Sequence, residues 1–173
     1  MSIIRDLKFI ANASRVTRWH TAATVHKETL GEHHGMVAQL LLLLFPDCTK
    51  ETLAYAVTHD VGEYITGDIP SPTKDALGIR EVVAELENST ENPMHFTASQ
   101  VSQNGYNQVL VCDILARIMY IYLERRLGSV HLMHKLHTAL HQFDVLIEKH
   151  FSDEAELFTR LYEELFVDDG LTY

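Results

Sequence analysis

The stretch 109-VLVCDILARIMYIYLERRL-127 is apolar over most of its length and is followed directly by Gly128. Its apolar residues recur at helical spacing, so it predicts one long buried helix that ends at the glycine. Asp113 lies inside this stretch, where a carboxylate is costly unless it is paired or bound to a metal. Two fates therefore stay open for Asp113: a metal ligand, or a salt bridge to Arg117 four residues later.

The remaining pattern is also helical, and we find no strand-like alternation. Loops are predicted at Arg15–Lys27 and at Gly67–Pro72, and the polar stretch Glu87–Asn107 is the expected mobile segment. Together these features predict an all-α fold, a single helical bundle. Further helices are predicted at Met1–Asn12, from the Thr29/Glu32 capping box to Phe45, at Lys50–Ile65 after a Thr49 cap, at Ile79–Leu86, at Val130–His150, and at Asp153–Phe166 after a Ser152 cap.

Composition narrows the class of protein. The chain has 173 residues, is 46% hydrophobic and carries a formal charge of -10. This hydrophobic fraction is ample for one folded domain, whereas the acidic balance disfavours a nucleic-acid partner. No signal peptide and no membrane-spanning stretch is evident, and the two cysteines have no motif spacing. We therefore expect a cytoplasmic protein with no membrane partner.

The adjacent pair His59-Asp60 offers one nitrogen and one oxygen ligand, and Glu63 follows within one helical turn. A carboxylate at that spacing could take a proton from a metal-bound water. Alone, such a dipeptide is common by chance and more often solvated than functional. On the preceding helix, His33 and His34 could each face inward, and one of them would supply a further ligand.

The order His…His-Asp…Asp resembles the HD phosphohydrolase superfamily. The block from His59 to Lys74, with the pattern H-D-x-x-E-x-x-T-G-D-x-P-x-P-x-K, is long and specific. With Arg18-Trp19 and Glu32-His33 upstream, it is similar to the bacterial 5′-deoxynucleotidases and to the compact phage dATP triphosphohydrolases (DatZ). The resemblance covers about residues 10–123, the expected metal-site core of a single domain over 1–173. The C-terminal helices, about 130–166, add little to it.

The resemblance implies roles for particular residues. It implies a divalent transition metal (Co, Zn, Mn, Ni or Fe) in the site, with an additional Mg ion on the phosphates compatible with it. Glu63 would handle the attacking water, and Asp68 would support the site from the same loop. The other implied roles are metal ligands at His33, His59, Asp60 and Asp113, phosphate binding at Arg18 and Lys74, and packing against the base or sugar at Trp19.

The expected activity is that of a deoxynucleotide phosphohydrolase. Its leading form releases triphosphate from dATP. A 5′-deoxynucleotidase acting on monophosphates and a non-catalytic nucleotide sensor are the alternatives. Relatives of this kind form homo-oligomers, so a homo-oligomer is expected here too. If the gene belongs to a phage, the location would be the host cytoplasm.

A second set of histidines follows Gly128 at spacings of three, three and four residues. A solvated polar face is the plainer interpretation of this stripe, and a second metal site or a subunit interface stays open. The stripe consists of His131, His134, His137 and His141.

Overall fold

The computed structural model describes residues 3–152, 156–158 and 160. Within these residues, helices are the regular elements, and extended backbone pairs only at an isolated bridge between Thr17 and Thr29. The predicted all-α fold is confirmed. The helices are α1 (Ile3–Ala13), α2 (Leu30–Leu44), α3 (Lys50–Ala56), α4 (Glu63–Thr66), α5 (Ser71–Ala76), α6 (Arg80–Glu87), α7 (Thr97–Gln100), α8 (Gln103–Arg126) and α9 (Met133–His150).

The apolar helix α8 is central to the core, where it packs against α2, α3 and α9. Among its fully buried side chains are Val111 and Ile121. The helix begins earlier than the predicted Val109, because Ser102 caps it by accepting a hydrogen bond from the Gly105 N–H. The helix ends just before Gly128. This glycine has a φ of 94°, and a positive φ is typical of the residue that follows the end of an α-helix.

Helix α2 follows its prediction closely. The Thr29 side chain accepts a hydrogen bond from the Glu32 N–H, and the Glu32 carboxylate accepts one from the Thr29 N–H at 2.7 Å. This reciprocal capping box fixes where the helix begins, and therefore fixes the first turns that carry His33 and His34. The helix ends at Leu44, just before Phe45 and Pro46.

The predicted helix Lys50–Ile65 is wrong from Val57 to Gly62, where the structure has a turn that separates α3 from α4. Helix α3 ends at Ala56, and His59-Asp60 lies in a turn rather than in the middle of a helix. The Thr58 hydroxyl donates to the Ala54 carbonyl at 2.7 Å, and His59 Nδ1 lies 3.0 Å from the Ala56 carbonyl. Side chains thus take carbonyls that a continuing helix would need for its own backbone bonds.

Other boundaries differ as well. Helix α5 begins inside the loop predicted at Gly67–Pro72, and α7 forms within the polar stretch Glu87–Asn107. Helix α9 starts after the predicted Val130. Most of the predicted helix Asp153–Phe166 lies outside the described residues, and the described parts of it, 156–158 and 160, are helical.

The turn carrying His59-Asp60 is pressed closely against α6. A Cβ atom added at Gly62 would lie 2.3 Å from the Glu87 carbonyl oxygen, so only glycine allows this approach.

Within the described residues, no helix is long and apolar enough to cross a membrane.

The loop between α1 and α2 is held to the core by Glu124 of α8. This carboxylate is 1% exposed and accepts hydrogen bonds from the N–H groups of Val25 at 2.6 Å and His26 at 2.7 Å. The same loop carries Arg18 and Trp19. Glu124 therefore links the central helix to a segment expected to contact substrate.

We predict that Glu124→Ala destabilises the protein by about 3 kcal/mol, because it removes two hydrogen bonds to a buried charged group. The free energy of unfolding from denaturant titration measures this loss. Glu85→Gln, at an exposed position on α6, should stay within roughly 0.5 kcal/mol of the parent chain. Equal free energies of unfolding for the two variants would contradict the conclusion that Glu124 holds the loop between α1 and α2 to the core.

Candidate functional site

Three side chains from two segments, α2 and the turn after α3, meet at one point. His33, His59 and Asp60 each offer one ligand atom, and these atoms all lie within 4.8 Å of one another. In the part of the chain that the structure describes, this is the only such group of three His, Cys, Asp or Glu residues. The exposed histidine stripe forms none.

Asp113 reaches the same point from α8. Its Oδ1 lies 3.0 Å from His33 Nε2, and its Oδ2 accepts a hydrogen bond from Arg117 Nη2 at 3.2 Å. The salt bridge predicted between Asp113 and Arg117 is therefore present, and the other Asp113 oxygen faces the histidine, so metal binding by Asp113 stays a prediction. We refer to His33, His59, Asp60 and Asp113 as the His–Asp group.

Three imidazole nitrogens of this group are buried without hydrogen-bond partners. These atoms are both ring nitrogens of His33 and Nε2 of His59. The close approach of His33 Nε2 to Asp113 does not have hydrogen-bond geometry. His59 Nδ1 can donate its proton to the Ala56 carbonyl at 3.0 Å, which leaves a lone pair on Nε2. Buried, unpartnered lone pairs beside carboxylates fit a bound divalent cation.

His34 is also buried, and its ring centroid lies 4.9 Å from that of His59. Burial, with a smaller contribution from the neighbouring His59, lowers the pKa of His34 to about 3, so its ring is neutral. His33, and not His34, belongs to the three-residue group. The geometry therefore favours His33 as the ligand that the sequence alone left open.

The two aspartates of the group are both ionised. Burial alone would raise the pKa of Asp60, but His59 and Arg18 together outweigh it and lower that pKa to about 2. Burial is likewise outweighed at Asp113, where the facing His33 and the Arg117 guanidinium hold the pKa well below its usual range. The site thus presents negative oxygen atoms at neutral pH.

Glu63 behaves in the opposite way. It is the first residue of α4, it is buried, and its Oε2 has no hydrogen-bond partner. Burial, followed by the charge of Asp60, raises the pKa of Glu63 to about 9. In these surroundings the Glu63 carboxyl holds a proton, and its free oxygen atom is available for proton exchange.

Arg18 and Trp19 line the site from the loop before α2. Arg18 Nη1 donates to Asp60 Oδ2 at 2.9 Å. Trp19 has a φ of 59°, a left-handed conformation uncommon outside glycine, and its N–H donates to Asp68 Oδ2 at 3.2 Å. In the structure, Asp68 thus contacts the Trp19 backbone, which is one way of supporting the site from its own loop.

The Trp19 ring packs against two other residues. It stacks on Tyr120 with centroids 5.4 Å apart, and Lys135 Nζ lies 5.0 Å from its centroid. Neither Tyr120 nor Lys135 was expected at the site. Lys135 comes from α9, whose sequence carries no motif that would have indicated it.

Lys74 is tied to α6. Its Nζ donates to Glu87 Oε1 at 3.2 Å, and the Thr66 hydroxyl donates to the same oxygen at 2.8 Å. The charge of Glu87 also contributes to the raised pKa of Glu63, so this pair lies within electrostatic range of that carboxyl. Lys74 and Thr66, both from the block His59–Lys74, are therefore held near Glu63 by one residue of α6.

Glu28 is a site residue that the sequence did not reveal. It is buried, and its Oε2 accepts a hydrogen bond from Trp19 Nε1 at 2.8 Å. The same oxygen lies 3.3 Å from Arg18 Nε. Its position directly before the Thr29 cap is the only sequence signal, and it does not distinguish a buried glutamate from a solvated one.

Comparisons with known proteins identify the family and the fold of this chain. The family model described as 5′-deoxynucleotidase YfbR-like matches residues 6–124. A protein of Salmonella phage PMBT28 named dATP triphosphohydrolase is 33% identical over 98 residues, which are 49% of this chain and 49% of that protein. The chain thus matches about half the length of this curated relative.

Solved structures share the fold. The HD phosphohydrolase DatZ of cyanophage S-2L, bound to dA and one catalytic Zn²⁺ ion, superposes with a TM-score of 0.74 at 18% identity, covering 95% of this chain and 98% of that one. A conserved hypothetical protein from Pyrococcus furiosus gives 0.71 at 22% identity, covering 92% and 99%. A protein from Pyrococcus horikoshii OT3 gives 0.73 at 20% identity, covering 91% and 99%.

At these identities the structural likeness establishes the HD-type helical fold, and the family model establishes the kinship. The match to the family model spans well over half of the chain, from the first helix through most of α8. The protein belongs to the YfbR-like family of 5′-deoxynucleotidases.

Proposed function

We propose that this chain is a metal-dependent deoxynucleotide phosphohydrolase that converts dATP and water to deoxyadenosine and triphosphate. The observation that carries the proposal is the His–Asp group, with its buried lone pairs beside the unpartnered Glu63 carboxyl. The name of the Salmonella phage relative supports dATP as the substrate, and the dA bound to DatZ supports deoxyadenosine as the product.

The donor set favours a transition ion. Imidazole nitrogens with carboxylate oxygens suit Co, Zn, Mn, Ni or Fe, and His33, His59, Asp60 and Asp113 would hold the ion. When bound, such an ion polarises a phosphoryl oxygen and lowers the pKa of water. An additional Mg ion would be carried by the phosphates of the substrate.

Glu63 is proposed to move the proton of the attacking water. The positive charge of a nearby divalent cation would lower the raised pKa of this carboxyl, so that it ionises near neutral pH. Its Oε2, which has no partner, would then accept the proton as water attacks the α-phosphorus and the bond to the 5′ oxygen breaks, and the carboxyl would pass that proton on to the 5′ oxygen.

Arg18 and Lys74 are proposed to bind phosphate oxygens. Each is held by a carboxylate, Arg18 by Asp60 and Lys74 by Glu87. A guanidinium has five N–H donors and an ammonium three, so these pairings leave donors for a phosphate. Trp19 is proposed to pack against the base or sugar, with Asp68 holding its backbone.

A 5′-deoxynucleotidase acting on monophosphates is the second candidate, because the matching family model carries that description. A nucleotide sensor without catalysis is the third, and the unpartnered Glu63 argues against it. We further propose that residues 1–173 form one domain, and that the protein is a homo-oligomer without nucleic-acid partners.

Incubation with dATP and dAMP, resolved by chromatography, separates the first two activities. We expect dATP to yield deoxyadenosine and triphosphate in equal amounts. The Glu85→Gln variant should show the same products and rate, since its side chain is exposed on α6. Turnover of dAMP without turnover of dATP would contradict the proposal and support the second candidate.

We predict that Glu63→Gln lowers hydrolysis by roughly 100-fold or more, because the amide cannot accept the proton of water. Metal content, measured on the purified variant by elemental analysis, should stay close to that of the parent. Unchanged turnover would show that Glu63 is not the base. Absence of turnover in the parent protein would instead favour the sensor.

Metal binding should stabilise the fold. An ion at a free concentration of about 100 times its dissociation constant adds about 2.7 kcal/mol to the free energy of unfolding. In a chain of this size, that gain raises the melting temperature by roughly 5–10 °C. Chelation should reverse the rise. His59→Ala should abolish it, whereas His141→Ala, at an exposed position on α9, should retain it. Equal shifts in the two variants would place the ion elsewhere.

A further inference from the structure

Glu28 lies near three residues with roles in the proposed function. Trp19 packs against the base or sugar, Arg18 binds phosphate, and His33 binds the metal. Its Oε2 accepts from Trp19 Nε1 at 2.8 Å and lies 3.3 Å from Arg18 Nε. Its Oε1 lies 4.0 Å from His33 Nδ1, too far for a direct hydrogen bond. The side chain is buried on the loop just before α2.

The backbone fixes this arrangement independently of the side chain. The Arg18 N–H donates to the Glu28 carbonyl at 2.9 Å, and the Leu30 N–H donates to the Val16 carbonyl at 2.8 Å. The segment that carries Arg18 and Trp19 is therefore tied to the segment that begins α2. Glu28 lies where these two segments meet.

Burial makes the Glu28 carboxylate effective at holding Trp19 and Arg18 in place. A carboxylate with 9% of its side chain exposed is costly unless it is paired, so it strongly prefers the arrangement in which Trp19 donates a hydrogen bond to it and Arg18 forms an ion pair with it. Arg18 lies between Glu28 and Asp60, which approach different nitrogens of its guanidinium. If Arg18 turned away from the site, both carboxylates would lose its positive charge.

We propose that Glu28 is a positioning residue that fixes the Trp19 indole and the Arg18 guanidinium for the deoxynucleotide, an inference that rests on the proposed function. With its N–H donated to Glu28, Trp19 meets the substrate through ring carbons and makes no hydrogen bond to it. Base or sugar recognition by this residue is then apolar packing, and Arg18 supplies the polar contact.

The single tryptophan of the chain gives a direct readout. Its indole N–H yields one resonance in a ¹H–¹⁵N spectrum, shifted downfield by the charged acceptor. We expect Glu28→Gln to move this resonance upfield and to raise KM for dATP roughly 10-fold or more, with a smaller effect on kcat. Glu85→Gln should change neither quantity.

A role confined to stability predicts a different outcome. In that case Glu28→Gln would lower the melting temperature but leave the indole resonance and KM of the folded protein unchanged, which would overturn the proposal. The spectrum needs no turnover. Failure of the proposed function would therefore appear as absent hydrolysis in the parent chain, whatever the indole resonance does.

The parent protein offers a second test should Glu28→Gln fail to fold. When deoxyadenosine is titrated into it, the indole N–H should remain downfield and protected from exchange with solvent, because Glu28 keeps it. Rapid exchange of this proton with solvent, or loss of the downfield shift on binding, would contradict the proposal.

Discussion

The structure depends on how it accommodates several carboxylates in one buried place. Asp60 and Asp113 are both ionised, and their like charges repel unless cations lie near them. Arg18 and Arg117 partly meet that demand, each from one side. The remaining negative charge faces unpartnered imidazole nitrogens, which is why a divalent cation is the natural completion of the site.

The scaffold matters because it brings distant parts of the chain to this one point. The capping box sets the rotation of α2 and hence the position of His33, while α8 delivers Asp113 from the core. The tight approach allowed by Gly62 seats the His59-Asp60 turn against α6. Together, these constraints define the spacing of the nitrogen and oxygen atoms in the His–Asp group.

Much of this was predictable from the sequence, for identifiable reasons. The capping box and the apolar pattern of α8 are local signals, and both were confirmed. The break after Ala56 was missed because hydrogen bonds from Thr58 and His59 to the backbone compete with a helix whose apolar pattern continues. Glu28 was missed because burial of a loop glutamate depends on tertiary contacts, which have no periodic signature.

The central claim is that one ion binds among His33, His59, Asp60 and Asp113. Anomalous scattering across the zinc absorption edge tests it most directly, on crystals of Glu63→Gln grown with Zn²⁺ and dATP. The account predicts a strong peak within ligand distance of the His33 and His59 nitrogens and of an oxygen from each aspartate. A peak only on the exposed histidines of α9, with none between these four residues, would contradict it.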